Sequence, residues 1–203
     1  MAYEREDLEQ LLLDLSERAL FRYGFKRFNL NEVAREARIS KTTLYTVFAG
    51  KYELASGVID RLLSEAEREM GALLEGNGSL LEKLGSGMEV IAQIYGKMDA
   101  VFLSDLENSL PELWERIDAA RRKKEEVLRH LLCEEQKRGV VRGDLDASLM
   151  ASMILTLVRG MYQPAYFLEH GVTGTAVGEV IMEILRAGIF NVRADRSLGG
   201  DDV

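Results

Sequence analysis

The sequence predicts an all-α fold in which a small N-terminal three-helix domain precedes a larger C-terminal helical domain, and three observations carry that prediction. Apolar residues recur at helical spacing, while no segment alternates apolar and polar residues over a strand's length and no internal repeat is visible. Only two prolines, Pro111 and Pro164, occur in 203 residues, which leaves long helices free to run. Short polar capping residues and single glycines mark the places where helices start and stop.

Leu8, Leu11, Leu12, Leu15, Ala19 and Leu20 define one face of a helix over residues 5 to 22, which Gly24 can stop. Asn29 and Glu32 have the spacing of a capping box and open a short helix that carries Val33, Ala34 and Ala37 inward and ends near Arg38. Ser40 caps a second short helix over Lys41 to Phe48, with Leu44 and Phe48 on one face and Gly50 breaking it. A long helix from about Lys51 to Glu75 follows, striped by Leu54, Val58, Leu62 and Met70 and ended by Asn77 and Gly78. Ser79 with Glu82, and Ser109 with Glu112, are Ser-x-x-Glu boxes expected to open helices near 80 to 98 and 110 to 138. A short helix over Phe102 to Asn108 is expected between them. Asp144 or Asp146 caps the next helix, expected to run from about Ala147 to about Glu169, and Thr173 or Thr175 caps the last, ending near Val192. The expected division is therefore residues 1–50, then residues 51–192 with 51–76 as a connector helix, then a charged, Gly-rich flexible tail over 193–203.

Composition argues against several classes of function. The single cysteine, Cys133, cannot form an intramolecular disulfide, and no charged-then-apolar leader opens the chain, so a cytoplasmic location is expected. The longest apolar stretch, around Leu149 to Val158, is interrupted by Ser152 and Thr156 and ended by Arg159, well short of the roughly 20 residues of a membrane span. His130 and His170 lack partners at metal-ligand spacing, and Cys133 has no second pair beside it, so neither a metal nor a cofactor is expected. Gly171, Gly174 and Gly178 fall in an interhelix turn and a helix start, where no strand precedes them to make a phosphate loop. No convergent nucleophile or acid-base pair is visible, and an enzyme is not expected. The run from Arg121 to Lys124, followed by Glu125 and Glu126, reads as a solvated helix face with Arg121 paired to Glu125.

The net charge of −8 is unevenly spread. Residues 15–52 hold eight basic side chains against three acidic ones, a net +5, whereas residues 55–203 carry a net −8. Attraction to phosphate depends on local charge, so the basic head is compatible with nucleic acid although the whole chain is acidic. The same head contains two short helices joined by about three residues, the geometry in which one helix braces on the DNA backbone while the next enters the major groove. On the second helix Lys41, Thr42, Thr43 and Thr46 are polar and short enough to reach base edges, while Leu44, Val47 and Phe48 can anchor it. Ser40, Tyr45 and Lys51 can contact phosphate, although Tyr45 can equally pack inside the small domain. A helix pair of this size also occurs in proteins that never meet DNA, so a helical adaptor that binds protein is the alternative.

An ordered run of residues separates these readings. Gly24-Phe25 is followed by Asn29-Leu30-Asn31-Glu32-Val33-Ala34, Ala37-Arg38-Ile39-Ser40, Thr43-Leu44-Tyr45, Phe48 and Lys51-Tyr52-Glu53-Leu54. Over residues 10 to 58 this resembles the TetR family of transcriptional repressors, and the later helices agree in length and order. Asn29 stands where serine or threonine is usual, Arg38 where glycine is common, Thr42 where glycine or serine is common, and Val47 where an aromatic or histidine is frequent. The resemblance implies a helix-turn-helix at residues 29–54, a double-stranded DNA operator, a homodimer, and Asn29, Arg38, Ser40, Lys41, Thr42, Thr43, Tyr45, Thr46 and Lys51 as the DNA-contacting set.

The C-terminal part supplies candidates for the other two roles. The helix from Ala147 is apolar almost all round and must be buried on more than one side. Ile154, Val158 and Met161 from it, with Val177, Val180, Ile181, Ile184, Leu185 and Gly188 from the last helix, can form a self-complementary four-helix interface, or else fill the core of one subunit. Met88, Ile91, Tyr95, Met98, Phe102, Trp114, Ile117, Met153, Tyr162 and Tyr166 supply adaptable apolar bulk with a few polar tips. In regulators that this chain resembles, such a region encloses an inducer, which implies an apolar or aromatic small molecule here.

Overall fold

The computed structural model describes residues 4–162 and 164–191. Its helices are α1 (Arg5–Arg27), α2 (Leu30–Glu36), α3 (Lys41–Val47), α4 (Lys51–Glu75), α5 (Leu80–Gly96), α6 (Ala100–Ser109), α7 (Pro111–Lys137), α8 (Ala147–Met161), α9 (Pro164–His170) and α10 (Gly174–Ile189). The all-α expectation holds: among the described residues the only extended pairing is an isolated bridge between Val141 and Phe190. Four caps act where the sequence places them. Asn29, Ser40, Asp146 and Thr173 each accept from a first-turn backbone N–H of the helix that follows. Ser79 and Glu82 satisfy each other's N–H groups, at 3.3 and 2.7 Å, which is the full reciprocal box.

Four expectations need correction. Gly24 does break the first helix, with φ 75° and ψ 167°, yet one more turn follows to Arg27. Ser109 closes α6 instead of capping α7, which opens at Pro111, a residue suited to a first helical position because it has no N–H to satisfy. Glu112 instead accepts from the Tyr52 hydroxyl at 2.6 Å. The single helix expected from Ala147 to Glu169 is two, α8 and α9, because Pro164 has no backbone N–H with which to continue a helix and instead opens the next one. Finally, α10 stops at Ile189, where the chain turns extended and exchanges backbone bonds with the 140–142 segment: Arg142 N–H donates to Ile189 O and Asn191 N–H to Val140 O, both at 2.9 Å. The expected end at Val192 and the tail over 193–203 lie outside the described residues.

The chain forms two compact units, one of residues up to Arg68 with Lys97–Ile117, the other of Glu69–Gly96 with the residues from Asp118 onward. Their limits cut through α4 and α7. In the first unit α4 and α6 close over the three N-terminal helices. Leu12, Leu20, Leu44, Leu54, Val58, Ile59, Phe102, Leu106 and Leu113 are sealed from solvent, with the Phe21 and Phe102 rings 5.0 Å apart. Arg61 of α4 ties to Asp14 and Glu17 of α1. The second unit packs Met88 of α5, Leu128 and Leu132 of α7, Met150, Ala151, Ile154 and Val158 of α8, and Val177, Ile181, Leu185 and Ile189 of α10 into one core.

Candidate nucleic-acid interface

The short helices of the first unit are held by local bonds that leave their outer faces free. Val33, Ala34 and Ala37 of the α2 segment are buried, as expected. The end of α2 is a Schellman turn: Ile39 N–H donates to Ala34 O at 3.0 Å and Arg38 N–H to Arg35 O at 3.1 Å. Such a turn needs a left-handed residue at its corner, and Arg38 fills that place with φ 56°. This is the physical reason for glycine at that position in similar sequences, and it swings the Arg38 side chain into solvent.

On α3, Ser40 Oγ accepts from Thr43 N–H at 3.0 Å and lies 2.8 Å from Thr43 Oγ1, so Thr43 is half-buried and its hydroxyl is engaged locally. Thr46 Oγ1 donates to Thr43 O at 2.7 Å and keeps its lone pairs free. Leu44 and Phe48 are buried anchors and Val47 is half-buried. Lys41, Thr42 and Tyr45 face outward; Tyr45 is 53% exposed, which rules out the packed alternative for it. Asn29 is exposed even while its side chain caps α2 at 3.0 Å. A groove of about 470 Å³ runs beside α2, lined in part by Tyr23, Arg27, Asn29, Arg35 and Arg38. Arg27 and Arg35 gather beside this groove only in the fold, since nothing in their spacing along the sequence separates them from ordinary surface charge.

Lys51 is less free than its position at the start of α4 implies. Its ammonium donates to Lys26 O at 3.2 Å and stands 4.6 Å from the centre of the Phe25 ring. Partial burial lowers its pKa, and the carboxylate of Asp105 opposes that shift. Asp105, on α6, is itself only 4% exposed. It accepts from the Lys26 N–H at 2.9 Å, with Lys26 Nζ 3.4 Å away.

These helices match a family model described as bacterial regulatory proteins, tetR family, over residues 12–58. The chain belongs to the TetR family. It is 25% identical over 185 residues to the uncharacterized HTH-type transcriptional regulator YvaF of Bacillus subtilis, covering 90% of this chain and 95% of that one. The fold is similar to that of a transcriptional regulator from Saccharomonospora viridis in complex with choline, with a TM-score of 0.79, 18% identity, and coverage of 92% and 99%. It is also similar to a TetR-family regulator from Agrobacterium tumefaciens, with a TM-score of 0.76, 16% identity, and coverage of 93% and 100%. This TetR-family chain is thus an HTH-type transcriptional regulator, and no described helix is long and apolar enough to cross a membrane.

The pocket candidates divide between the two units. Met98, Phe102, Trp114 and Ile117 fall in the first unit, Met88, Ile91, Met153, Tyr162 and Tyr166 in the second. The Tyr95 side chain lies outside the described ones. Met153 does not line an interior: it is exposed on α8. Tyr162 is sealed in the second core, where burial pushes its phenol pKa up and its hydroxyl fills the space beside Gly178; a Cβ at Gly178 would stand 2.6 Å from it. Tyr166 stacks on His170 with ring centroids 4.1 Å apart. Of the interface candidates, Ile154, Val158, Val177, Ile181 and Leu185 are buried in the core of the second unit. Met161 and Gly188 are half-buried. Val180 (55% exposed) and Ile184 (58%) point outward on α10, as do Leu149 (71%) and Met153 on α8. His130 pairs with Glu126 at 3.0 Å. The Arg129 guanidinium is the main cause that holds the Glu126 carboxyl down at about 2.

Proposed function

We propose that this TetR-family chain is a homodimeric repressor that grips a near-palindromic DNA operator and is released from it by a small-molecule inducer. The observation that carries the proposal is α3: Leu44 and Phe48 pin it to the head while Lys41, Thr42 and Tyr45 project outward from a segment of net +5. Lys41 suits a guanine edge and threonine either a base edge or a thymine methyl. Ser40, Arg38, Asn29 and Lys51 lie around the reading helix and serve phosphate, with Thr43 and Thr46 positioned second to Thr42 because their hydroxyls are already engaged. Residues 1–50 act as the reading head, 51–76 as the connector, and the rest up to 192 as the regulatory and pairing part.

Pairing is assigned to the exposed face made by Leu149 and Met153 of α8 with Val180 and Ile184 of α10. Each pair is four residues apart, one helical turn, so the four side chains offer one strip per helix. An apolar strip of this kind costs solubility unless a second copy covers it. The choline complex of the Saccharomonospora viridis regulator supports ligand response as a property this fold can have. For this chain an apolar or aromatic inducer acts by favouring the conformation whose heads do not match the operator spacing.

The test is in vitro selection of bound DNA from a random pool. The expected product is a near-palindrome with half-sites about one helical turn or slightly more apart, bound less tightly as salt rises. Thr42→Ala alters base preference, whereas Lys51→Ala weakens all sequences alike. A pool that enriches nothing, with a flat salt response, rejects the proposal.

A further inference from the structure

We infer that Asp105 of α6 is a positioning residue for the phosphate-gripping lysine Lys51, acting through the turn at 24–28; the inference rests on the DNA-binding reading above. An acidic residue in a head meant for a polyanion is unfavourable by simple electrostatics, and a buried carboxylate costs further unless it is paired and hydrogen-bonded. Asp105 is nearly sealed, and among the described residues its bonds go to Lys26: the backbone N–H at 2.9 Å and the ammonium at 3.4 Å. The kink at Gly24 opens the way for it. Gly24 has φ 75°, and a Cβ there would stand 2.7 Å from Asp105 Oδ2, so the carboxylate occupies the space that a side chain would fill.

The turn so fixed has a second face. Lys26 O receives the Lys51 ammonium at 3.2 Å, and the Phe25 ring lies beneath that ammonium at 4.6 Å. Phe28 N–H closes the turn onto Gly24 O at 3.1 Å, and the next residue, Asn29, caps α2. One residue, Lys26, therefore links Asp105 through its N–H to Lys51 through its C=O. A lysine head that uses one donor on Lys26 O keeps two more for phosphate, aimed by where that carbonyl sits. Asp105 thus orders the cation without touching DNA.

The sign of one substitution separates this from a plain charge effect. Asp105→Asn removes a negative charge from the head; if Asp105 had no positioning role, operator binding would tighten or stay unchanged. Positioning predicts binding about fivefold weaker, the loss expected when one charge-assisted contact is misplaced. The log affinity against log salt also becomes shallower by about 0.9 per head. In the Lys51→Met background the same substitution has no weakening effect. Asp105→Ala, which also leaves the Lys26 N–H without its acceptor, is read in the same way. Circular dichroism melts set the assay temperature so that each protein is folded, which removes a merely structural loss from the comparison.

The inference is overturned if the folded Asp105→Asn and Asp105→Ala proteins both bind as tightly as the parent or tighter, or if they weaken binding equally with and without Lys51. Asp105→Asn decides alone should Asp105→Ala not fold. A parent protein that shows no salt-dependent operator binding would instead overturn the DNA-binding reading, and the two failures cannot be confused.

Discussion

Gly24→Ala tests the junction on which the head depends. Gly24 adopts φ 75° and ψ 167°, a combination that only glycine takes up readily, and forcing a side chain into it costs about 1–3 kcal/mol. The added Cβ would also stand 2.7 Å from both Asp105 Oδ2 and Val101 Cγ1, an overpacking cost of about 1–3 kcal/mol more. Together these give about 4 kcal/mol, and at about 2–4 °C per kcal/mol for a chain of this length the melting temperature falls by about 10 °C. Gly139→Ala is the control: Gly139 also has φ 75°, but a Cβ there meets nothing within 4 Å, so only the backbone cost of about 1 kcal/mol applies. Adding Val101→Ala to Gly24→Ala removes one of the two close contacts and recovers part of the loss. Thermal melts followed at 222 nm measure all four proteins. Equal melting temperatures for Gly24→Ala and Gly139→Ala would show that the close approach of α6 to the turn contributes nothing.

The other predictions concern charge, pH and assembly. Arg38→Gly relieves a left-handed arginine but loosens the unfolded chain by a similar amount, so stability changes by less than about 1 kcal/mol. The same variant loses about 0.9 per head from the salt slope of operator binding; an unchanged slope would remove Arg38 from the phosphate contacts. Glu82, held below its ordinary 4.5 chiefly by the Ser79 N–H, contributes stability that is present above pH 4.5 and is lost as pH falls through its lowered pKa. Glu82→Gln should therefore narrow the difference in melting temperature between pH 6 and pH 3, and an unaltered difference would mean that the box adds no pH dependence. Ile184→Glu puts a charge on the outward strip of α10 and should give a folded monomer in sedimentation, whereas Ile181→Glu, one turn inward in the core, should unfold the second unit. A dimeric Ile184→Glu protein would move the interface elsewhere.

Much of the head was legible in the linear sequence because its signals are local. A cap such as Ser40 acts on an N–H three residues away, and Leu44 and Phe48 share a face simply by being four apart. Arg38 at the corner of the α2–α3 turn could be placed, although its left-handed backbone became visible only with the Schellman bonds around it. The second unit was harder to read because apolar residues lie around most of the circumference of α8. Periodicity alone could not distinguish Ile154, which faces inward, from Met153, which faces out. The Ser109–Glu112 pair shows the same limit: the spacing fits a box, but α6 extends through Ser109 and Tyr52 captures Glu112.

By itself the sequence determined the helical class, nearly all helix starts, the helix-turn-helix and its family, since each depends on residues within one or two turns of each other. Tertiary structure alone decided which apolar side chains remain exposed, and which charges are surface and which are buried. Asp105 is the clearest case. In the sequence it is one acidic residue among 34 Asp and Glu, and only the packing of α6 on the Gly24 kink brings it to Lys26, 79 residues away along the chain, whose carbonyl receives the Lys51 ammonium. Bonds across that separation depend on how the elements pack, and no local propensity encodes it.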